Sequence, residues 1–156
     1  MGRYVNNIPQ SQSNNYDVLL LKSIFLFIGC RDIKGAITEL KKCKGVQDGT
    51  WYYNMAFLNA YSGNLRKAAQ FYRNGMMQHV DQPVVLQIEE FIYWMLDEEP
   101  QKYQLHYCLG YISWKIKADH KQAIKEFQNF LSKGNDQEYT QERDLVRQWM
   151  RQNLQD

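Results

Sequence analysis

Apolar and polar residues alternate with a helical period from Tyr16 to the end of the chain. Apolar side chains recur every three or four residues, and short stretches with Gly, Asn or Asp interrupt them about every 14–18 residues. The strict alternation that marks a half-buried strand is not seen in the sequence. The pattern predicts an all-α fold with eight helices, at about 15–29, 33–44, 50–62, 65–79, 83–97, 101–116, 119–132 and 137–153.

Several predicted helix starts carry side chains that can cap them. Asp32, Thr50, Asn64 and Asp119 can each accept a hydrogen bond from an amide of the first turn that has no partner within the helix. Pro83 suits a first turn, where no amide partner is needed. These residues support the predicted boundaries.

A short motif occurs three times along the chain: a small residue in one helix, then a turn, then an alanine with a large residue four positions later. Small residues let two helices approach closely, and the large residue fills the space beside them. The motif predicts three helical hairpins, over about 17–48, 49–81 and 103–135. Its three instances are Ser23 with Ala36 and Leu40, Ala56 with Ala68 and Tyr72, and Gly110 with Ala123 and Phe127.

This pattern resembles the tetratricopeptide repeat. The resemblance is clearest in residues 52–56 followed by 62–68, and again in 109–111 followed by 118–123. The first repeat, about 17–48, lacks the aromatic residue and the Leu-Gly pair in its first helix. The resemblance implies a short α-solenoid whose first helices line a concave groove that binds a protein or peptide.

One predicted helix does not fit a regular stack of hairpins. Ala36 and Ala68 are 32 positions apart, whereas Ala68 and Ala123 are 55 apart, and an inserted helix at about 83–97 accounts for the difference. The stack must bend there, or the inserted helix must lie across it and fill part of the groove. The last helix, about 137–153, has one apolar face and a polar back, which is typical of a terminal capping helix.

The groove that the resemblance implies would be aromatic. Tyr and Trp suit protein recognition because they combine a large apolar area with a polar group and little rotamer entropy. The alternative is that these aromatic side chains simply pack between helices. The candidate partner-binding residues are Tyr53, Asn54, Phe57, Tyr107, Tyr111, Trp114 and Lys115.

The expected function is a scaffold or adaptor that binds a partner peptide or protein segment by apolar contact. The resemblance does not imply the carboxylate clamp of some family members, because Leu20 and Ile24 stand where that clamp needs Lys and Asn. An alternative is a regulatory receptor for a short peptide or a small ligand, with Tyr107, Tyr111 and Trp114 around an enclosed pocket.

The sequence predicts no catalytic site, no metal site and no cofactor. His79, His106 and His120 are the only histidines, and none stands at the spacing of a catalytic triad or of an H-E-x-x-H metal site. Each is expected at the surface. We therefore expect a protein that is not an enzyme.

Charge and hydropathy limit the choice of partners. The chain has 19 basic and 17 acidic side chains and no long basic run, which argues against nucleic acid. Its most apolar stretch, 18–28, contains Lys22 and is shorter than the roughly 20 residues of a membrane-spanning helix, so no membrane insertion is expected. Residues 27–30 also resemble a lipoprotein cleavage box, which leaves a lipid-anchored alternative open.

Length and cysteine content suggest one domain whose cysteines are free thiols. The 156 residues fit a flexible arm over 1–16, which shows no apolar period, and one helical domain over 17–156. An odd number of cysteines without C-x-x-C indicates free thiols and hence the cytoplasm. A homodimer through the first or last helix remains open. The three cysteines are Cys30, Cys43 and Cys108.

Overall fold

The computed structural model describes residues 16–43, 48–78 and 82–154, and over these ranges the chain forms eight helices and no strand. The predicted all-α fold is confirmed. The predicted arm over 1–16 lies almost wholly outside the described residues. The helices are α1 (Tyr16–Cys30), α2 (Ile33–Lys41), α3 (Gly49–Tyr61), α4 (Leu65–Met76), α5 (Gln82–Glu98), α6 (Leu105–Tyr111), α7 (His120–Ser132) and α8 (Thr140–Asn153).

Acidic and amide side chains cap four of these helices. Asp32, Asn64 and Asp119 accept hydrogen bonds from the amides of the third residue after them, as predicted. The prediction of Thr50 as a cap is wrong, because α3 begins one residue earlier and Asp48 accepts the bond from the Trp51 amide at 2.9 Å. Aspartate is preferred over threonine as the residue that caps the start of a helix.

Helices α1 and α2, α3 and α4, and α6 and α7 pack against each other as three hairpins. All nine residues of the repeated motif are buried, which confirms its packing role. Gly110 shows why a small residue is needed: a Cβ there would lie 2.5 Å from the ring of Phe127 on the facing helix. The motif therefore sets the distance between the two helices of each hairpin.

Helix α5 is the inserted helix, and it contacts the first helices of the first two hairpins. The ring of Phe91 lies 5.1 Å from that of Phe57 on α3 and 6.1 Å from that of Phe27 on α1. Ile88 and Ile92 of α5 also line the depression between these helices. The sequence left open whether the stack bends or the helix lies across it, and the structure shows that α5 contacts the first helices of both hairpins through Phe91.

Helix α8 is held at the end of the stack by one buried arginine. Arg143 is 0% exposed, and its guanidinium donates hydrogen bonds to the carbonyl oxygens of Leu131, Lys133 and Glu138 at 2.7–3.0 Å. These bonds organise the irregular connection before α8, which explains why the helix begins at Thr140 and not near 137. The same helix then packs Trp149 onto α7.

Helix α6 ends in a π-helical turn, Ile112–Ile116, whose wider winding carries Trp114 and Lys115. The helix begins at Leu105, four residues later than predicted. Among the helices that the structure describes, none is long and apolar enough to span a membrane. The cysteines are unpaired: Cys43 and Cys108 are buried and Cys30 is exposed.

Candidate functional site

The structure divides the seven predicted site residues between two depressions. Tyr53, Asn54 and Phe57 lie beneath α5, in a depression among α1, α3 and α5 that we name the α5 cleft. The other four line a depression among α4, α6, α7 and α8, which we name the aromatic groove. The residues lining the aromatic groove are Arg73, Tyr107, Tyr111, Trp114, Lys115, Phe127, Leu145, Val146, Gln148, Trp149 and Gln152.

The α5 cleft has a volume of about 280 Å³, and the described side chains in its wall carry no charge. Phe27 and Phe57 meet edge to face at 5.2 Å in its floor, and Phe91 of α5 covers them. Asn54 in its wall donates from its side-chain amide to the Thr50 carbonyl oxygen at 3.0 Å. Its wall comprises Ser23, Ile24, Phe27, Ile28, Thr50, Tyr53, Asn54, Phe57, Leu58, Val84, Gln87, Ile88, Phe91 and Ile92.

The aromatic groove is larger, at about 390 Å³, and like the α5 cleft it is open to solvent. Trp114 is its central side chain, because its ring lies 5.8 Å from that of Tyr111 and 5.2 Å from that of Trp149. Trp114 is half-buried, and Leu145 at the rim is 61% exposed. The groove thus presents aromatic and aliphatic surface that this chain leaves partly uncovered.

Two cations are the charged residues in the wall of the aromatic groove. Lys115 places its Nζ 3.9 Å from the centroid of the Trp114 ring, close enough for a cation–π contact. Burial raises the pKa values of Tyr107 and Tyr111, and the positive charge of Arg73 opposes that rise at both hydroxyls. Glu142 acts on Tyr107 in the other direction, but it is not part of the groove wall. The rim is therefore cationic.

A buried polar cluster joins α5 to the third hairpin. His106 donates from Nδ1 to Glu126 Oε2 at 2.8 Å, and Tyr93 of α5 donates from its hydroxyl to Glu126 Oε1 at 2.9 Å. Gln122 donates to both Tyr93 and Glu126. The prediction that the histidines lie at the surface is therefore wrong for His106, whose ring is buried because a carboxylate on the facing helix binds it. His120 is exposed, and His79 lies outside the described residues.

The carboxylate of Glu126 is ionised more readily than an ordinary glutamate. Burial alone would raise its pKa, but the hydrogen bonds from His106 and Tyr93 outweigh burial and lower it. Burial and the bond to Glu126 conversely raise the pKa of Tyr93. The side chains of His106, Tyr93 and Glu126 bind one another across three helices. The cluster therefore has a structural role.

Two further ion pairs fix α5 in place. Lys117 Nζ lies 3.1 Å from Glu89 Oε1 in the middle of the helix. Beyond its carboxyl end, Glu99 accepts a 2.7 Å hydrogen bond from the Tyr61 hydroxyl and lies 3.4 Å from Arg31 Nε. Burial and this bond raise the pKa of Tyr61 to about 12. Helix α5 is thus bound to all three hairpins.

Sequence reasoning missed several of these residues. Leu145 and Trp149 were not predicted as groove residues, because α8 was interpreted only as a cap, and Arg73 of α4 was not predicted either. Glu126 carried a recognisable signal: it lies on the buried stripe of α7 that also holds Ala123, Phe127 and Phe130. A carboxylate at such a position requires a buried partner.

Within residues 16–43, 48–78 and 82–154 no three His, Cys, Asp or Glu side chains are grouped so that they could hold a metal ion. No protein-family model matches the sequence, and neither a curated protein nor a solved structure does so. The geometry of the two depressions is therefore the basis for the functional argument that follows.

Proposed function

We propose that this protein is a protein–protein interaction module of the tetratricopeptide type, which binds a segment of a partner protein in the aromatic groove. The observation that carries the proposal is the exposure of Trp114 and Leu145 beside the buried rings of Tyr111 and Trp149. Interface energy concentrates on such aromatic anchors. A partner side chain that covers them would remove apolar surface from water.

The positive charges at the rim favour a partner segment that carries acidic residues. Lys115 and Arg73 are both exposed, and among the described residues that line the groove none is a carboxylate, although Glu142 is close enough to act on Tyr107. A segment with a large apolar residue next to aspartate or glutamate would match both the aromatic centre and the charge of the rim. Charge complementarity of this kind favours specificity and fast association.

The open form of the groove supports a protein partner over an enclosed ligand pocket at Tyr107, Tyr111 and Trp114. Ligand pockets bury most of a small molecule. The aromatic groove is open to solvent and has exposed residues at its rim, so a small molecule there would remain partly in water. A peptide chain can cross such a groove and continue on either side.

Selection of random 12-residue peptides displayed on phage tests the proposal. We expect the purified protein to enrich peptides in which a large apolar residue adjoins an acidic one. These peptides should bind the Trp114→Ala variant roughly thirtyfold more weakly, the loss typical of a central tryptophan.

Trp94→Ala is the matched control, because Trp94 is a half-exposed tryptophan on α5, away from the aromatic groove. It should leave peptide binding unchanged, and circular dichroism should show both variants to be folded. Failure to enrich any peptide, or equal binding by the folded Trp114→Ala variant, would contradict the proposed function.

A further inference from the structure

Two glutamines give the aromatic groove a polar border that the proposed function does not use. Gln148 and Gln152 of α8 both line the groove, and both are exposed to solvent. Leu145 and Trp149 line it from the same helix, because residues three or four positions apart share one helix face. The groove therefore combines aromatic side chains with a pair of side-chain amides along α8.

The polar residues next to these glutamines in the sequence bind within α8. Arg147 Nη1 lies 3.3 Å from Asp144 Oδ1, and Arg151 donates to the Arg147 carbonyl oxygen at 3.4 Å. By contrast, neither Gln148 nor Gln152 makes a side-chain hydrogen bond with any residue that the structure describes. Both amides are thus available to a bound segment.

A primary amide is suited to bind the main chain of a peptide. It offers N–H donors and a carbonyl acceptor, so one glutamine can pair with both the N–H and the C=O of a single residue. An extended segment has no internal partners for these groups, and they require partners when they leave water. A helical segment satisfies them internally and needs no such glutamines.

The spacing of the two glutamines fits an extended chain. Four residues along α8 cover about 6.0 Å, because a helix rises about 1.5 Å per residue. Two residues of an extended chain cover about 6.6 Å. Alternate residues of such a chain direct their main-chain groups to the same side. Gln148 and Gln152 can therefore bind alternate residues of one segment that lies alongside α8.

From this arrangement we infer that Gln148 and Gln152 hold the partner segment in an extended conformation along α8 by binding its main chain. The inference rests on the proposed function, since it concerns the segment that the aromatic groove binds. Contact of an apolar side chain with Trp114 and Trp149 then gives specificity, whereas the glutamines select the conformation of the segment.

Replacing each amide of a phage-selected peptide in turn by an ester tests this inference, because the ester lacks the N–H donor. We expect binding to weaken about fivefold at two positions that lie two residues apart. The position between them should show no loss, because its N–H points away from α8. Fluorescence anisotropy of the labelled peptides measures the affinities.

Gln148→Met and Gln152→Met connect the sensitive positions with the two glutamines. Methionine has a similar length and helix propensity but no amide. Each variant should bind the unmodified peptide about fivefold more weakly and should abolish the ester effect at one of the two positions. Gln141→Met is the matched control, because Gln141 is exposed on α8 outside the groove wall, and it should change neither result.

Two results would overturn the inference while peptide binding still depends on Trp114. They are equal ester effects at all central positions of the peptide, as a helical segment would give, and ester effects that persist in both glutamine variants. The first concerns the unaltered protein, so it does not depend on the folding of a variant. A peptide that binds folded Trp114→Ala as tightly as the unaltered protein would instead contradict the proposed function, and the inference with it.

Discussion

The α5 cleft and the aromatic groove each include the first helix of at least one hairpin, yet the surroundings of these helices differ. In the first two hairpins, the first helices α1 and α3 are covered by α5 through Phe91. In the third hairpin, α6 carries Trp114 into a groove that α8 borders but does not close. One inserted helix therefore turns half of a repeated surface into an interior contact.

The charges of the two depressions differ in the same way. The described side chains that line the α5 cleft carry no charge, whereas Arg73 and Lys115 flank the aromatic groove. The charged groups of α5 that approach the third hairpin are instead paired, as Glu89 is with Lys117. Similar sequence motifs thus border two depressions that differ in charge. The following changes test that difference.

Removing the buried arginine should have the largest effect, because its guanidinium makes the hydrogen bonds that hold α8 at the border of the aromatic groove. Arg143→Ala leaves the carbonyl oxygens of Leu131, Lys133 and Glu138 without their donor. We expect a loss of about 3–5 kcal/mol in the free energy of unfolding, measured by urea denaturation.

Arg151→Ala, at an exposed position on the same helix, should cost less than about 0.5 kcal/mol. A similar small loss for Arg143→Ala would show that the bonds of its guanidinium do not hold α8.

Truncation of Phe91 affects the other depression. Phe91→Ala removes the ring that packs on Phe27 and Phe57, and the site is half-buried, so we expect a loss of about 2 kcal/mol. Thermal unfolding measures it. Peptide binding in the aromatic groove should stay unchanged, and loss of that binding would show that the two depressions are coupled.

The buried glutamate should make the link between α5 and the third hairpin sensitive to acid. Because the folded state lowers the pKa of Glu126 below its ordinary value of 4.5, its contribution is present above that pH and is lost as the pH falls further. Glu126→Gln should cost about 1.5 kcal/mol at pH 7 and should make stability less dependent on pH between 6 and 3.

Urea denaturation at a series of pH values measures this, with Glu90→Gln as the control at an exposed position of α5. Parallel pH profiles for Glu126→Gln and the unaltered protein would contradict the role given to this carboxylate.

Reversal of one rim charge should have the smallest effect. Lys115→Glu changes an exposed residue and should alter the free energy of unfolding by less than about 0.5 kcal/mol. It should weaken the binding of acidic peptides by about 1 kcal/mol, or about fivefold in Kd. Fluorescence anisotropy of a labelled peptide measures the change, and Lys121→Glu on α7 is the control. Equal losses in both variants would mean that only net charge matters.

Much of the fold could be predicted from the sequence because its determinants are local. Helical period located the eight helices, and small residues such as Gly110 located the hairpin contacts, since a Cβ there would meet Phe127. Cap residues are local too, although the choice between Thr50 and Asp48 depended on where α3 begins.

The division of the candidate site could not be predicted, because it depends on where α5 lies. Tyr53 and Phe57 have the same aromatic character as Tyr107 and Tyr111, and the covering by Phe91 arises from a contact between distant parts of the chain. The partner of His106 was hidden for the same reason: Glu126 is 20 positions away along the chain. Such contacts require the tertiary structure.

The most direct test of the account is a titration of the protein with a selected acidic peptide, followed by NMR of the four indole N–H groups. Trp114 and Trp149 line the aromatic groove, whereas Trp94 adjoins Phe91 of the cleft and Trp51 donates its N–H to Leu40 in the core. We predict that the signals of Trp114 and Trp149 shift while those of Trp94 and Trp51 remain in place. Unchanged signals for Trp114 and Trp149 on addition of a bound peptide would contradict it.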